Sequence, residues 1–176
     1  MARIDRRSFI AGSAAGVAAA TLPVEGLAAT AEELLGEASI SNRALRALRS
    51  AVRGPVMTRR SRGYATTRLV YNERFDGVRP QAVVEPLNAR DVQAVVRWAQ
   101  RFDVRVVAKA GGHSYAGYST IGNGVVVDLR RIAGVRPHSR NTRANFGAGA
   151  QLIDVYSALS RRGVTVPAGS CPSVGV

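Results

Sequence analysis

The 176-residue sequence has a single cysteine, a single lysine and two histidines. One cysteine excludes an internal disulfide. Two histidines and one cysteine also fall short of the three or four ligands that a zinc centre takes. No apolar run is long and greasy enough for a membrane anchor, which needs about 20 such residues. There is no internal repeat, and no low-complexity tract beyond an alanine-rich leader. Acids are scarce, 12 against 25 basic residues, for a formal net charge of +13. The excess is uneven: residues 38–68 hold eight arginines and no acid. A basic stretch can bind nucleic acid or an anionic surface. This one has little aromatic interleaving and no binding motif. It reads as a solvated spacer, or as a face that meets acidic surface elsewhere, and no nucleic-acid partner is expected.

What is present starts with a leader. Arg6-Arg7-Ser8-Phe9-Ile10 resembles the twin-arginine export signature, with Asp5 where Ser or Thr is more usual. A small, weakly apolar run follows to Leu22, and Ala29-Thr30-Ala31 offers a cleavage site. Residues 1–31 are therefore expected to be a signal peptide handled by the Tat translocase, and the product to be exported, periplasmic or extracellular. Residues 32–74 are a helical and Arg-rich lead-in. Leu34, Leu35, Ala38, Leu45, Leu48 and Val52 sit at mostly helical spacings within 31–53. Gly54-Pro55 ends that pattern, and 58–71 reads as irregular.

From Phe75 the pattern tightens. Ala82-Val83-Val84 is a short buried strand. Asn88 can cap a helix, with Asp91 placed for its dipole. Val92, Val95, Val96 and Ala99 follow at i, i+3, i+4 and i+7, and Val104–Ala108 is the next strand. Strand, helix and strand in about thirty residues make a βαβ unit, which favours parallel neighbours. Further strands are predicted over Val125–Leu129, Ala144–Gly147 and Val164–Val166. A second amphipathic helix carries Leu152, Val155, Tyr156 and Leu159 and ends at Gly163.

The chemistry concentrates in Val104–Thr120. A strand runs into Lys109-Ala110-Gly111-Gly112-His113-Ser114. Two glycines let backbone N–H groups approach a bound group closely. Successive N–H groups pointing one way cradle an anion such as a diphosphate. The neighbouring imidazole can act as a nucleophile. Two other motifs compete. Gly147-Ala148-Gly149-Ala150 lies between a strand and a helix but lacks the third glycine of a dinucleotide loop, and reads as a packing turn. Gly112-His113-Ser114-Tyr115-Ala116 nearly matches a hydrolase nucleophile elbow, with Asp128 and His138 in triad order. That esterase alternative, with Ser114 as nucleophile, needs a helix after the elbow, and Tyr115–Gly124 shows no helical stripe. His138 is most simply an exposed loop residue.

Phe75-Asp76-Gly77-Val78-Arg79-Pro80, Gly111-Gly112-His113-Ser114-Tyr115, Val127-Asp128-Leu129 and Gly169–Val176 occur in order along the last hundred residues. Together they resemble the flavin domain of berberine-bridge-enzyme-like oxidases, in the vanillyl-alcohol oxidase superfamily. The resemblance implies an α+β, PCMH-type FAD-binding fold over 75–176, incomplete at its C-terminus. Its two α+β subdomains would be βαβ-like first and mainly antiparallel second. It implies FAD as cofactor, linked covalently through His113 to the 8α-methyl carbon and, in bicovalent members, through Cys171 to C6. Lys109, Ala110, Gly111, Gly112 and Ser114 match the loop around the FAD diphosphate, and Gly169, Val174 and Gly175 belong to the second cofactor-binding segment. The family usually has Arg where Lys109 stands, so a forked contact becomes a point charge. The implied reaction is hydride removal from an alcohol, sugar or amine carbon, with dioxygen as oxidant. Substrate residues and the catalytic base are expected downstream of this stretch, so the chain alone is expected to be an inactive N-terminal fragment. A truncated, non-catalytic flavin-binding piece is the remaining alternative.

Overall fold

The computed structural model describes residues 39–140 and 142–176. The leader and the start of the lead-in lie outside them, as do the expected signal peptide and its cleavage site. The first described helix, α1 (Asn42–Ala51), begins where Ser41 accepts the Ala44 amide at 3.1 Å. Ser39 and Ile40 before it are not helical, because that side-chain cap defines the first turn.

Four strands form the main sheet: β1 (Val56–Thr58), β2 (Ala82–Val84), β3 (Val106–Lys109) and β4 (Val125–Asp128), in the order β1-β2-β4-β3. β1 runs antiparallel to β2, whereas β4 runs parallel to both of its neighbours. The expected βαβ unit is therefore present as β2, a long helix and β3, but its strands are not neighbours. β4 inserts between them, pairing Val125 with Ala82 on one side and with Val106 on the other. A run of four buried residues, Val125–Asp128, suits the position with a strand on each side.

Alternation sorts the side chains to the two faces of this sheet. Ala82, Val84, Val125 and Val127 pack with Ala44 and Leu48 of α1 and with Val95, Trp98 and Ala99 of α2 (Ala89–Phe102). Val83 and Val126 pack with Tyr64, Val107 and Ile121. Each fully buried valine or leucine contributes about 1.5–3 kcal/mol of transfer free energy. Trp98 also ties α2 to α1, its Nε1 donating to the Ala44 carbonyl at 2.8 Å.

The stretch expected to be irregular, 58–71, holds the end of β1 and a one-turn helix, α3 (Tyr64–Thr67). Neither is long enough to show a period. Burial of Tyr64, whose hydroxyl donates to the Pro80 carbonyl at 2.5 Å, holds that turn in place. The C-terminal part is a two-stranded antiparallel ribbon, β5 (Val135–Pro137) with β6 (Ala144–Phe146), against α4 (Leu152–Ser160). Ala150, Val155 and Leu159 form its core with Ala133, Val135 and Ala144. Gly163 takes the left-handed conformation (φ +70°), two residues past the Arg161 C-cap. The strand expected over Val164–Val166 is absent: those valines pack on α4 without a partner strand, and Pro167 next to them has no N–H to offer one.

Asn88 caps α2 as expected, accepting the amides of Arg90 and Asp91. Asp91 does more than face a helix dipole. Buried in the first turn, its carboxylate accepts the amides of Leu87, Arg53 and Gly54 at 3.0–3.3 Å, pinning the chain that links α1 to β1. Burial opposes its ionisation, but the three amides and the nearby Arg53 charge outweigh it and hold the carboxyl below the usual 3.8. A depressed pKa means this stabilisation is complete above that value and is lost as pH falls through the folded-state pKa. Asp91→Asn should cost about 1–3 kcal/mol at neutral pH. Urea melts should show the gap to wild type closing in strong acid.

Candidate functional site

The three parallel strands all end at one edge of the sheet, and each ends in a charge. Glu85 follows β2, Lys109 closes β3 and Asp128 closes β4. All three side chains are buried. Lys109 Nζ lies 2.9 Å from Asp128 Oδ2 and donates to the carbonyls of Thr67 and Leu69. Arg130 holds the same carboxylate oxygen through Nη2 at 2.7 Å and Nε at 2.9 Å, and Arg131 Nε holds Glu85 at 2.6 Å. Burial pushes the Lys109 ammonium below the usual lysine range, and the Asp128 carboxylate opposes that. The point charge that the motif offered to a phosphate is thus committed elsewhere. An ammonium has three donors, and Lys109 uses all three on interior acceptors.

Beyond Lys109 the backbone takes over. Gly112 adopts φ +73°, a conformation that strains any other residue, and its carbonyl accepts the Tyr71 amide at 3.1 Å. The N–H groups of Gly111, Gly112, His113 and Ser114 have no acceptor among the described residues. Ser114 heads a turn, its Oγ accepting the Tyr118 amide at 3.1 Å. Against this loop lies the last segment of the chain. A Cβ on Gly111 would overlap the Ser173 carbonyl and the Gly175 nitrogen, and one on Gly175 would stand 2.5 Å from the Ala110 Cβ. The last segment is in turn sewn to the start of α4. Leu152 and Ile153 donate to the Val174 and Pro172 carbonyls at 2.9 and 3.0 Å, and Val176 donates to Ala150 at 3.1 Å.

Where the two loops meet there is a cavity of about 410 Å³, with Tyr71, Lys109, Gly111, His113, Arg130 and Ser173 in its walls. Ala110 lines it as well. Tyr71 stacks on the His113 ring, centroids 3.9 Å apart and planes 19° from parallel. His113 Nε2 is 2.9 Å from Ser173 Oγ, and Cys171 Sγ is 3.8 Å from that same oxygen. The imidazole and the thiol, distant in sequence, are thus no farther apart than those two contacts together. Gly112, Ser114, Cys171, Val174 and Gly175 are not in its lining, but stand beside Gly111, His113 and Ser173 in the chain segments that are. Gly169 does not border it, and its carbonyl accepts the Tyr156 hydroxyl at 2.6 Å instead.

Tyr71, Ser173 and Arg130 are among the wall residues that the sequence does not single out. Tyr71 lay in the stretch taken as irregular. Ser173 stood inside a quoted motif with no role attached. Arg130, half-exposed and anchored on Asp128, looked like one arginine among many.

The hydrolase constellation does not form. Ser114 feeds a turn rather than a helix, Asp128 is spent on Lys109 and Arg130, and His138 meets Arg143 at 3.4 Å. The Gly147–Gly149 loop packs as a turn: a Cβ on either glycine would overlap a backbone carbonyl, of Ile132 or of Leu129.

Residues 80–176 match the model of an FAD binding domain, and residues 3–23 match that of the twin-arginine translocation pathway signal sequence. The chain is 32% identical over 159 residues to the FAD-linked oxidoreductase pynB of Aspergillus niger, covering 85% of this chain and 29% of that protein. It is 31% identical over 97 residues to (R)-6-hydroxynicotine oxidase of Paenarthrobacter nicotinovorans, covering 55% of this chain and 21% of that one. Among solved structures, Physcomitrella patens BBE-like 1 superposes with a TM-score of 0.69 at 34% identity, over 75% of this chain and 29% of that one. The chain therefore spans under a third of these relatives' length. The likeness to berberine-bridge-enzyme-like flavin domains, the PCMH-type fold and the export signal are borne out.

Two outcomes follow from the site's packing. Lys109→Met removes one partner of a buried pair and orphans two carbonyls, and should cost about 3–5 kcal/mol, read from the urea midpoint. Gly111→Ala should cost about 1–3 kcal/mol by overpacking. Its signature is local: faster hydrogen exchange at the Leu152 and Val176 amides, with α1 and α2 unchanged.

Proposed function

The chain belongs to the FAD binding domain family, and from that premise we propose that it is the flavin-anchoring part of an exported FAD-linked oxidase. On this reading residues 1–31 are the signal peptide, 32–74 the lead-in and 75–176 the FAD-binding part. The flavin is attached covalently through His113 and, as a second tether, through Cys171. The observation that carries the reading is the convergence of His113 and Cys171 on one serine hydroxyl at the cavity wall. The 8α-methyl and C6 positions belong to the same ring of the flavin, so two nucleophiles this close suit a double attachment.

The residues present fit the cofactor. Four unpartnered N–H groups at Gly111–Ser114 supply a seat for the diphosphate. The absence of a Cβ at Gly111 and Gly175 keeps the two loops in contact. With Lys109 committed to Asp128, positive charge at the seat falls to Arg130, whose guanidinium is fixed by that carboxylate. Bound FAD supplies hydride acceptance from an alcohol, sugar or amine carbon and passage of the electrons to dioxygen. The protein orients the ring through the two side chains, with Tyr71 stacked on the face of His113. The relatives' names span FAD-linked oxidoreductases and a hydroxynicotine oxidase, and a small-molecule substrate fits that range.

Acid precipitation of the protein after incubation with FAD tests the assignment. A yellow pellet is expected from wild type, and a colourless one from the His113→Ala, Cys171→Ala double variant. A yellow native protein that gives a colourless pellet overturns covalent attachment. Protein that never takes up FAD overturns the whole reading.

A further inference from the structure

We propose that Ser173 is a positioning residue that couples the proton states of His113 and Cys171, placing the ring proton on Nε2 and leaving Nδ1 as the open lone pair. The inference rests on reading those two residues as the attachment pair. Its basis is one oxygen with two neighbours: Ser173 Oγ is 2.9 Å from His113 Nε2 and 3.8 Å from Cys171 Sγ.

A hydroxyl carries one proton and two lone pairs. It can donate to one of these neighbours and must accept from the other. When it donates to sulfur, the imidazole has to donate from Nε2, and Nδ1 is bare. When it donates to Nε2, the sulfur keeps its own proton and the ring proton moves to Nδ1. In the first arrangement Nδ1 is open and the serine proton points at the sulfur, so that a thiolate formed by loss of the thiol proton to solvent is held by that donor. The second disarms both. One rotor thus commits the pair to a common state. Tyr71 stacks on the face of the ring, Nε2 faces the serine, and Nδ1 has no partner among the described residues.

Among the described side chains, Ser173 is the one within hydrogen-bond distance of the His113 ring. Lys109 and Arg130, the wall's cations, are held by Asp128. The Tyr71 ring meets His113 face to face rather than through its hydroxyl. The role is also invisible in packing terms, because alanine fits wherever serine does.

The test is ¹⁵N NMR of the imidazole ring in the protein without added flavin, with His113 told from His138 by the His113→Gln variant. Wild type should show a slowly exchanging Nε2–H on His113. Ser173→Ala should lose that slow exchange, and Ser173→Thr should keep it. Cys171→Ala, which removes the sulfur acceptor without touching the ring, should raise the share of the Nδ1–H tautomer. A second measurement uses saturating FAD, where Ser173→Ala should form acid-stable flavin about tenfold more slowly or worse. Ring nitrogens that do not respond to Ser173→Ala or to Cys171→Ala overturn the coupling. Because the NMR measurement contains no flavin, failure of every variant to form acid-stable flavin sinks the attachment reading and leaves the coupling to be judged on the ring proton.

Discussion

Two stretches of backbone touch with no side chain between them, at Gly111 and at Ser173–Gly175, and the site exists because of that contact. A Cβ at Gly111 or Gly175 would occupy the other strand's backbone. Close packing tolerates no such overlap without displacing one partner. Two independent restraints hold the approach. The last segment is pinned to the first turn of α4 through Leu152 and Ile153. The glycine loop is pinned from below, where Lys109 is locked between Asp128 and two carbonyls.

That arrangement explains the division of labour among the charges. A buried ammonium without partners would be costly, so Lys109 serves the fold. Asp128, fully buried, balances Lys109 and also aligns Arg130. The guanidinium that results is half-exposed at the cavity wall, fixed in direction yet still open to an anion. On the proposed reading, the Gly111–Ser114 backbone N–H groups do the rest. Such groups are rigid and do not titrate, and they suit a diphosphate seat better than flexible lysines would.

Much of the molecule was legible in the sequence because local rules decide it. Ala82–Val84 read as a buried strand and Val125–Leu129 as a strand from branched and apolar residues alone, the latter ending one residue earlier, at Asp128. The Asn88 cap and the i, i+3, i+4, i+7 stripe marked α2. The order of short motifs from Phe75 to Val176 identified the flavin domain. Misreadings fell where length or pairing matters. β1 is three residues long and α3 a single turn, both too short for a period. Val164–Val166 has the composition of a strand but no neighbour to bond.

By itself, then, the sequence determined the longer elements, the export leader, the glycine turn and the two candidate attachment residues, since each is written in adjacent residues. Tertiary structure alone decided three things. It seated β4 between β2 and β3, a matter of which hydrogen-bonding edge is free. It turned Lys109 inward, which depends on Asp128 arriving beside it from the next strand. And it brought Tyr71 and Ser173 to His113, a meeting of three separate loops that no spacing along a single chain can express.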